Sequence, residues 1–154
     1  MSSLPEAKDD FVSASYYHLK TSNEALQKKM FPDAYQHAME WAENTMKAIL
    51  IKNNLFVDQP ESKGGDRHHS CEKLWVKIKL HNLFDAGDLK HLNILLPQLF
   101  IVNISSGTEH MDCASAQVPK LRYRDVARFV KQTDAEEKVK LMNNAFMVLV
   151  KYLK

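Results

Sequence analysis

The sequence predicts an all-α fold, an antiparallel helical bundle of about five helices that forms one domain over residues 1–154. Three observations carry that expectation. Apolar residues recur at intervals of three and four along several long stretches, proline, glycine and aspartate cluster between those stretches, and alternating strand patterns are absent. A chain of 154 residues can bury roughly two thirds of its extended surface, which suits one domain better than two.

From Asp9 to about Met30, Phe11, Ala14 (or Ser15), Tyr17 (or His18), Ala25 and Leu26 trace the inner stripe of a first helix. Phe31-Pro32-Asp33 interrupts it. Proline is welcome only in a helix's first turn, and aspartate there complements the dipole, so a second helix begins at this point and runs to about Asn54. Ala34, Ala38, Trp41, Thr45, Ala48, Ile49 and Lys52 mark its inner side. The alanines permit close approach of a neighbouring helix and Trp41 fills volume.

VDQPESKGGDRHHS, residues 57–70, gathers a proline, a Gly-Gly pair and several charges and reads as a mobile loop. A third helix follows from about Ser70 to Leu83, with Leu74, Trp75, Ile78 and either Lys77 or His81 at helical spacing. Asp85-Ala86-Gly87-Asp88 supplies a turn, with Asp88 as the expected N-cap of a fourth helix. Leu89, Leu92, Leu95, Leu96, Leu99 and Phe100 form that helix's deeply buried stripe, and Pro97 kinks it or restricts its last turns. After Ile104 the polar run SSGTEHMDCASAQVPK reads as a second long loop. Whether residues 122–131 form a short helix stays open. Thr133-Asp134-Ala135-Glu136 fits a capping box, and Val139, Met142, Ala145, Phe146, Leu149 and Leu153 carry a last helix.

The formal charge of +2, from 21 basic and 19 acidic side chains, means that any basic binding surface must be local. Cys71 and Cys113 form no CxxC pair and read as reduced thiols of a cytoplasmic protein. The opening MSSLPEAKDDF has neither a basic start nor an apolar run, and no stretch reaches the ~18 apolar residues of a membrane span. We therefore expect no secretion signal and no membrane partner.

The order of these elements carries a family resemblance. A helix whose alanine-rich pattern ends in Lys47-Ala48-Ile49-Leu50 is followed by a Gly/Pro-containing loop that leads to Asp66-Arg67-His68-His69-Ser70 ahead of the third helix. An Arg-Tyr element, Arg122-Tyr123-Arg124-Asp125, precedes the last helix. Over nearly its whole length the chain resembles the HEPN family, the higher eukaryote and prokaryote nucleotide-binding domains. The resemblance implies a helical bundle, homodimerisation through helix faces, binding of nucleotides or RNA, and association with a nucleotidyltransferase-type protein, often within toxin–antitoxin or stress-response pairs. Ribonuclease members carry an arginine followed after four to six residues by a histidine, for phosphate stabilisation and proton transfer. This sequence departs from that pattern: His81 comes 14 positions after Arg67, and no histidine follows Arg128. The expectation is a binding module with no catalytic residues and no cofactor.

Arg122, Tyr123 and Arg124, with Lys120, Arg128 and Lys131 nearby, are the candidate nucleotide or RNA site. Arginine forks match phosphate oxygens, and a tyrosine can stack on a base. The alternative is a solvated basic segment with Tyr123 in the core. Arg67 and His69 are expected to face the same groove; otherwise one of His68 and His69 caps the third helix and the other is solvated. A divergent ribonuclease, pairing Arg67 or Arg122 with His69 or His110, is the rival reading, and a structural protein-interaction partner is a third. His69, Cys71, His110 and Cys113 offer four zinc-type ligands but lack knuckle spacing, so no metal ligands are assigned. Glu40 and Glu43 are expected to be exposed, Lys47 to be exposed or at an interface, and Trp41, Trp75 and Phe146 to lie in the core.

Overall fold

The computed structural model describes residues 4–102, 111–112 and 129–154. Arg122, Tyr123 and Arg124, together with Lys120, Arg128, His110 and Cys113, lie outside the described residues. Five α-helices are present among those described: α1 (Leu4–Gln27), α2 (Phe31–Lys52), α3 (Cys71–Leu80), α4 (Ala86–Phe100) and α5 (Gln132–Leu149). Single 3-10 turns occupy Glu61–Lys63 and Val150–Tyr152. The all-α bundle expected from the sequence is what forms. Among the described residues Ile101–Val102 pairs antiparallel with Met111–Asp112, which the sequence does not predict, because two residues have no readable period.

Helix α2 is the axis of the bundle. Pro32 lies in its first turn and Asp33 beside it, as expected of a helix start. Its burial is not confined to one stripe: Tyr35, Met39, Ala42, Met46, Leu50 and Ile51 are buried as well as Ala34, Ala38, Trp41, Thr45, Ala48 and Ile49. Burial that reaches around most of a helix needs cover from several neighbours, and only the flank with Gln36, His37, Glu40 and Asn44 is left partly open. All four other helices contact it.

Helices α1 and α2 form an antiparallel hairpin, closed by a turn in which Lys29 adopts a left-handed φ of 60° and the Met30 amide bonds the Ala25 carbonyl at 2.8 Å. Paired residues fix its register. The Lys47 ammonium lies over the Phe11 ring, Ser15 Oγ meets Thr45 Oγ1 at 2.6 Å, His18 Nδ1 meets His37 Nδ1 at 2.8 Å, and Ser22 Oγ donates to the Ala34 carbonyl at 2.7 Å. The inner face of α1 is therefore Ser15, His18, Ser22 and Ala25, and Tyr17 is 58% exposed. Small hydroxyl side chains, which a hydropathy stripe scores as polar, let the two backbones approach here.

Some helix starts differ from expectation. Asp85 rather than Asp88 caps α4: its Oδ1 accepts from the Asp88 amide at 2.9 Å. In α5 the start falls two residues before the predicted box, and Asp134 Oδ2 accepts from the Lys131 amide at 2.9 Å. The first is a choice between two competent side chains in one turn; in the second the N-cap, Lys131, has no side-chain acceptor, and only the reciprocal bond from Asp134 marks the helix start. Of the alternatives at α3, Lys77 is half-buried and His81 exposed. Helix α4 runs only one turn past Pro97. Its C-terminal carbonyls are met by Lys138 of α5, whose buried Nζ donates to Gln98 O at 2.8 Å and Ile101 O at 2.6 Å and lies 4.9 Å from the centre of the Tyr35 ring.

A lysine spent on the end of another helix joins α2, α4 and α5 at one point. Lys138→Met keeps the aliphatic stem and leaves both carbonyls without that donor. We expect a loss of about 1–3 kcal/mol in urea unfolding, with helicity retained.

Candidate functional site

Two polar clusters sit on α2. The first is made by the loop before α3. Its anchor is Asp66, buried, whose Oδ2 accepts from the Val57 amide at 2.7 Å and from Lys77 Nζ at 2.5 Å. Gly65 is buried against the Gln59 backbone, where a Cβ would overlap the Gln59 carbonyl. The loop expected to be mobile is thus tied at both ends. The α3 cap is Ser70, whose Oγ accepts from the Lys73 amide at 3.3 Å, and not a histidine. His68 acts one step earlier: its Nδ1 accepts from the Ser70 amide at 3.0 Å.

This anchoring sets His69 against Glu43. His69 Nδ1 lies 3.2 Å from Glu43 Oε2, which also accepts from Lys47 Nζ at 3.1 Å. Glu43 and Lys47 are both buried, contrary to the expectation that they are surface residues. The helix is covered there by α1 and the loop, which helical spacing alone does not reveal. His69 keeps a 62% exposed side chain. With Nδ1 turned to the carboxylate, its other ring nitrogen is left for solvent or ligand, the arrangement in which a carboxylate fixes an imidazole tautomer.

Arg67 points elsewhere. Its Nε donates to Asp58, and the guanidinium lies 6.0 Å from the centre of the Phe56 ring. That hydrogen bond holds the Asp58 carboxyl below its ordinary range. Arg67 and His69 therefore engage different carboxylates. Neither lines the two clefts beside Pro97: the larger, about 340 Å³, lies against α5, and one of about 320 Å³ is lined by Trp75, Val76 and Phe100.

The second cluster was missed. His18 of α1 meets His37 and Glu40 of α2, with Glu40 Oε2 at 3.3 Å from His18 Nδ1 and 3.7 Å from His37 Nδ1. Burial is the main cause that pushes the His18 pKa down, opposed by the Glu40 charge and helped by His37. The available signal was His37-x-x-Glu40, one helical face at i,i+3. His18 joins it only through the hairpin register. Of the zinc-type set weighed from sequence, Cys71 is fully buried while His69 is exposed.

Two outcomes follow. Glu43→Ala leaves the Lys47 ammonium buried without its partner and should cost roughly 3 kcal/mol in chemical unfolding. Adding Lys47→Met should return most of that loss; a double variant no more stable than the single would contradict the buried-pair account. His68 faces Lys47, Asp66, Glu43 and His69, and burial followed by the Lys47 charge depresses its pKa. Its neutral Nδ1 is also needed to accept from Ser70. Its contribution should be complete above about pH 6.5 and lost as pH falls through the lowered folded value. The drop in Tm between pH 7 and pH 5 should be smaller in His68→Asn than in wild type.

Comparison with protein-family models, with curated proteins and with solved structures finds no match to this chain.

Proposed function

We propose that this chain is a HEPN-like binding module without catalytic activity, which engages a nucleotide or an RNA segment. One observation carries the reading. The two described segments on which the resemblance rests, Lys47-Ala48-Ile49-Leu50 and Asp66-Arg67-His68-His69-Ser70, converge on a single carboxylate, Glu43, which contacts Lys47 and His69. A buried charged pair is costly to maintain, and an exposed histidine held by it is a natural point for a phosphate or base edge. Arg122, Tyr123 and Arg124 complete the site in this reading, supplying phosphate contacts and a stacking ring. Arg67, already engaged by Asp58, contributes charge at the rim.

A homodimer, a nucleotidyltransferase-type partner in a toxin–antitoxin or stress-response pair, and a cytoplasmic setting belong to the same proposal. What the described helices do establish is coarser: none is long and apolar enough to cross a membrane. The His69–Glu43 pair also favours a second reading, a divergent ribonuclease in which His69 handles a proton. Binding remains the preferred reading because Arg67 is turned to Asp58 rather than toward His69.

The test is a thermal-shift screen with mono- and dinucleotides and short RNAs, repeated for His69→Ala, Arg122→Ala and Arg124→Ala. A ligand at 100-fold its Kd adds about 2.7 kcal/mol to wild type, and each variant should lose most of that shift. No response to any nucleotide or RNA overturns the proposal. Cleavage of the RNA by wild type, abolished in His69→Ala, would replace it with the ribonuclease reading.

A further inference from the structure

His18, His37 and Glu40 serve neither the core nor the site just proposed, and their geometry calls for a third kind of atom. Each offers one lone-pair atom, His18 Nδ1, His37 Nδ1 and Glu40 Oε2, and these converge within a triangle of edges 2.8, 3.3 and 3.7 Å. Hydrogen bonding accounts poorly for this. A single proton can lie between the two imidazoles, and the carboxylate oxygen is then left with long contacts of 3.3 and 3.7 Å to the same two nitrogens. A cation accounts for all three at once. The circle through the three atoms has a radius of about 1.9 Å, so an ion about 0.7 Å from their plane sits 2.0–2.1 Å from each, the bond length of zinc to imidazole and carboxylate.

We propose that His18, His37 and Glu40 bind a divalent first-row transition ion of the zinc type across the α1–α2 hairpin, with coordination positions left open on the outer side. Support comes from the residues around the triad. Gln36 Nε2 donates to Glu40 Oε1 at 2.8 Å, which occupies one carboxylate oxygen and turns the other to the imidazoles, as supporting residues do at metal sites. The Tyr17 ring stands edge-on to both imidazoles, with centroids 5.2 Å from His18 and 5.9 Å from His37. Exposure is graded: the His18 side chain is 15% exposed, His37 19% and Glu40 36%. The ligands are thus held by the hairpin on one side while water reaches the other. Three protein ligands with an open remainder is the pattern of reactive rather than closed structural ions, and imidazole with carboxylate and no thiolate admits zinc, cobalt, nickel or iron(II).

The experiment uses the tag-free 154-residue chain, stripped with chelator and titrated calorimetrically with zinc chloride. One zinc per chain should bind to wild type and to His91→Ala, an exposed histidine outside the triad. His18→Ala, His37→Gln and Glu40→Gln should each weaken binding by at least the roughly 10–100-fold that loss of a supporting residue costs. Far-ultraviolet circular dichroism confirms that each variant is folded, and His37→Gln and Glu40→Gln, near-isosteric and partly exposed, remain informative if His18→Ala is not. Cobalt(II) should give visible d–d bands without thiolate-to-metal charge transfer. No zinc uptake by wild type, uptake unchanged in folded His37→Gln and Glu40→Gln, or a thiolate band that assigns the ion to cysteine overturns the proposal.

Discussion

The structure depends on the covering of the apolar residues that surround most of α2. Trp41, Tyr35, Met39, Met46, Ile49 and Leu50 are fully buried and point in different directions around one helix. No single neighbour can remove that much apolar surface from water, so α1, α3, α4 and α5 must all pack against it. Once four helices surround a fifth, their termini meet at its ends and along its flanks. Polar groups collect there, because helix ends and loops carry the unsatisfied donors and acceptors, and also along the middle of the α1–α2 seam.

The polar residues of α2 acquire their roles from this arrangement. His37, Glu40, Glu43 and Lys47 lie along one flank of the helix, where α1 and the loop before α3 reach over it. The same cover that excludes water from Glu43 and Lys47 lets their mutual attraction act at lower dielectric, and leaves each costly without the other. Toward the helix N-terminus the cover is looser, and His37 and Glu40 stay partly wet. One flank therefore holds a desolvated ion pair at one end and an accessible triad of ligand-type atoms at the other. The two sites share a helix and differ in solvation.

Ties between elements far apart in sequence hold the rest in place. Lys138 closes the end of α4 from α5. Tyr152, after α5, donates to Asp88 Oδ2 at 2.5 Å beside Lys151, which pairs with the same carboxylate, so the end of the described chain is fastened to the first turn of α4. Asp66 performs the corresponding task for the loop, joining Val57 to Lys77 of α3. In each case a charged side chain satisfies backbone or side-chain groups that water would otherwise have to reach.

By itself the sequence determined the helical class, the order of the helices and most of the core, since apolar spacing and the residues that start and stop helices act over one or two turns and are written locally. Pro32 with Asp33, and the Leu92, Leu96 and Leu99 stripe, are of this kind. Tertiary structure alone decided which polar residues are covered and which meet. Glu43 and Lys47 look like a surface pair until α1 and the loop lie over them, and Asp85 and Asp88 are equal candidates for a cap until the backbone chooses one. His18 is 19 residues from His37, and nothing local links them. The register of an antiparallel hairpin, set by Ser15 on Thr45 and Ser22 on Ala34, brings them within 2.8 Å of each other.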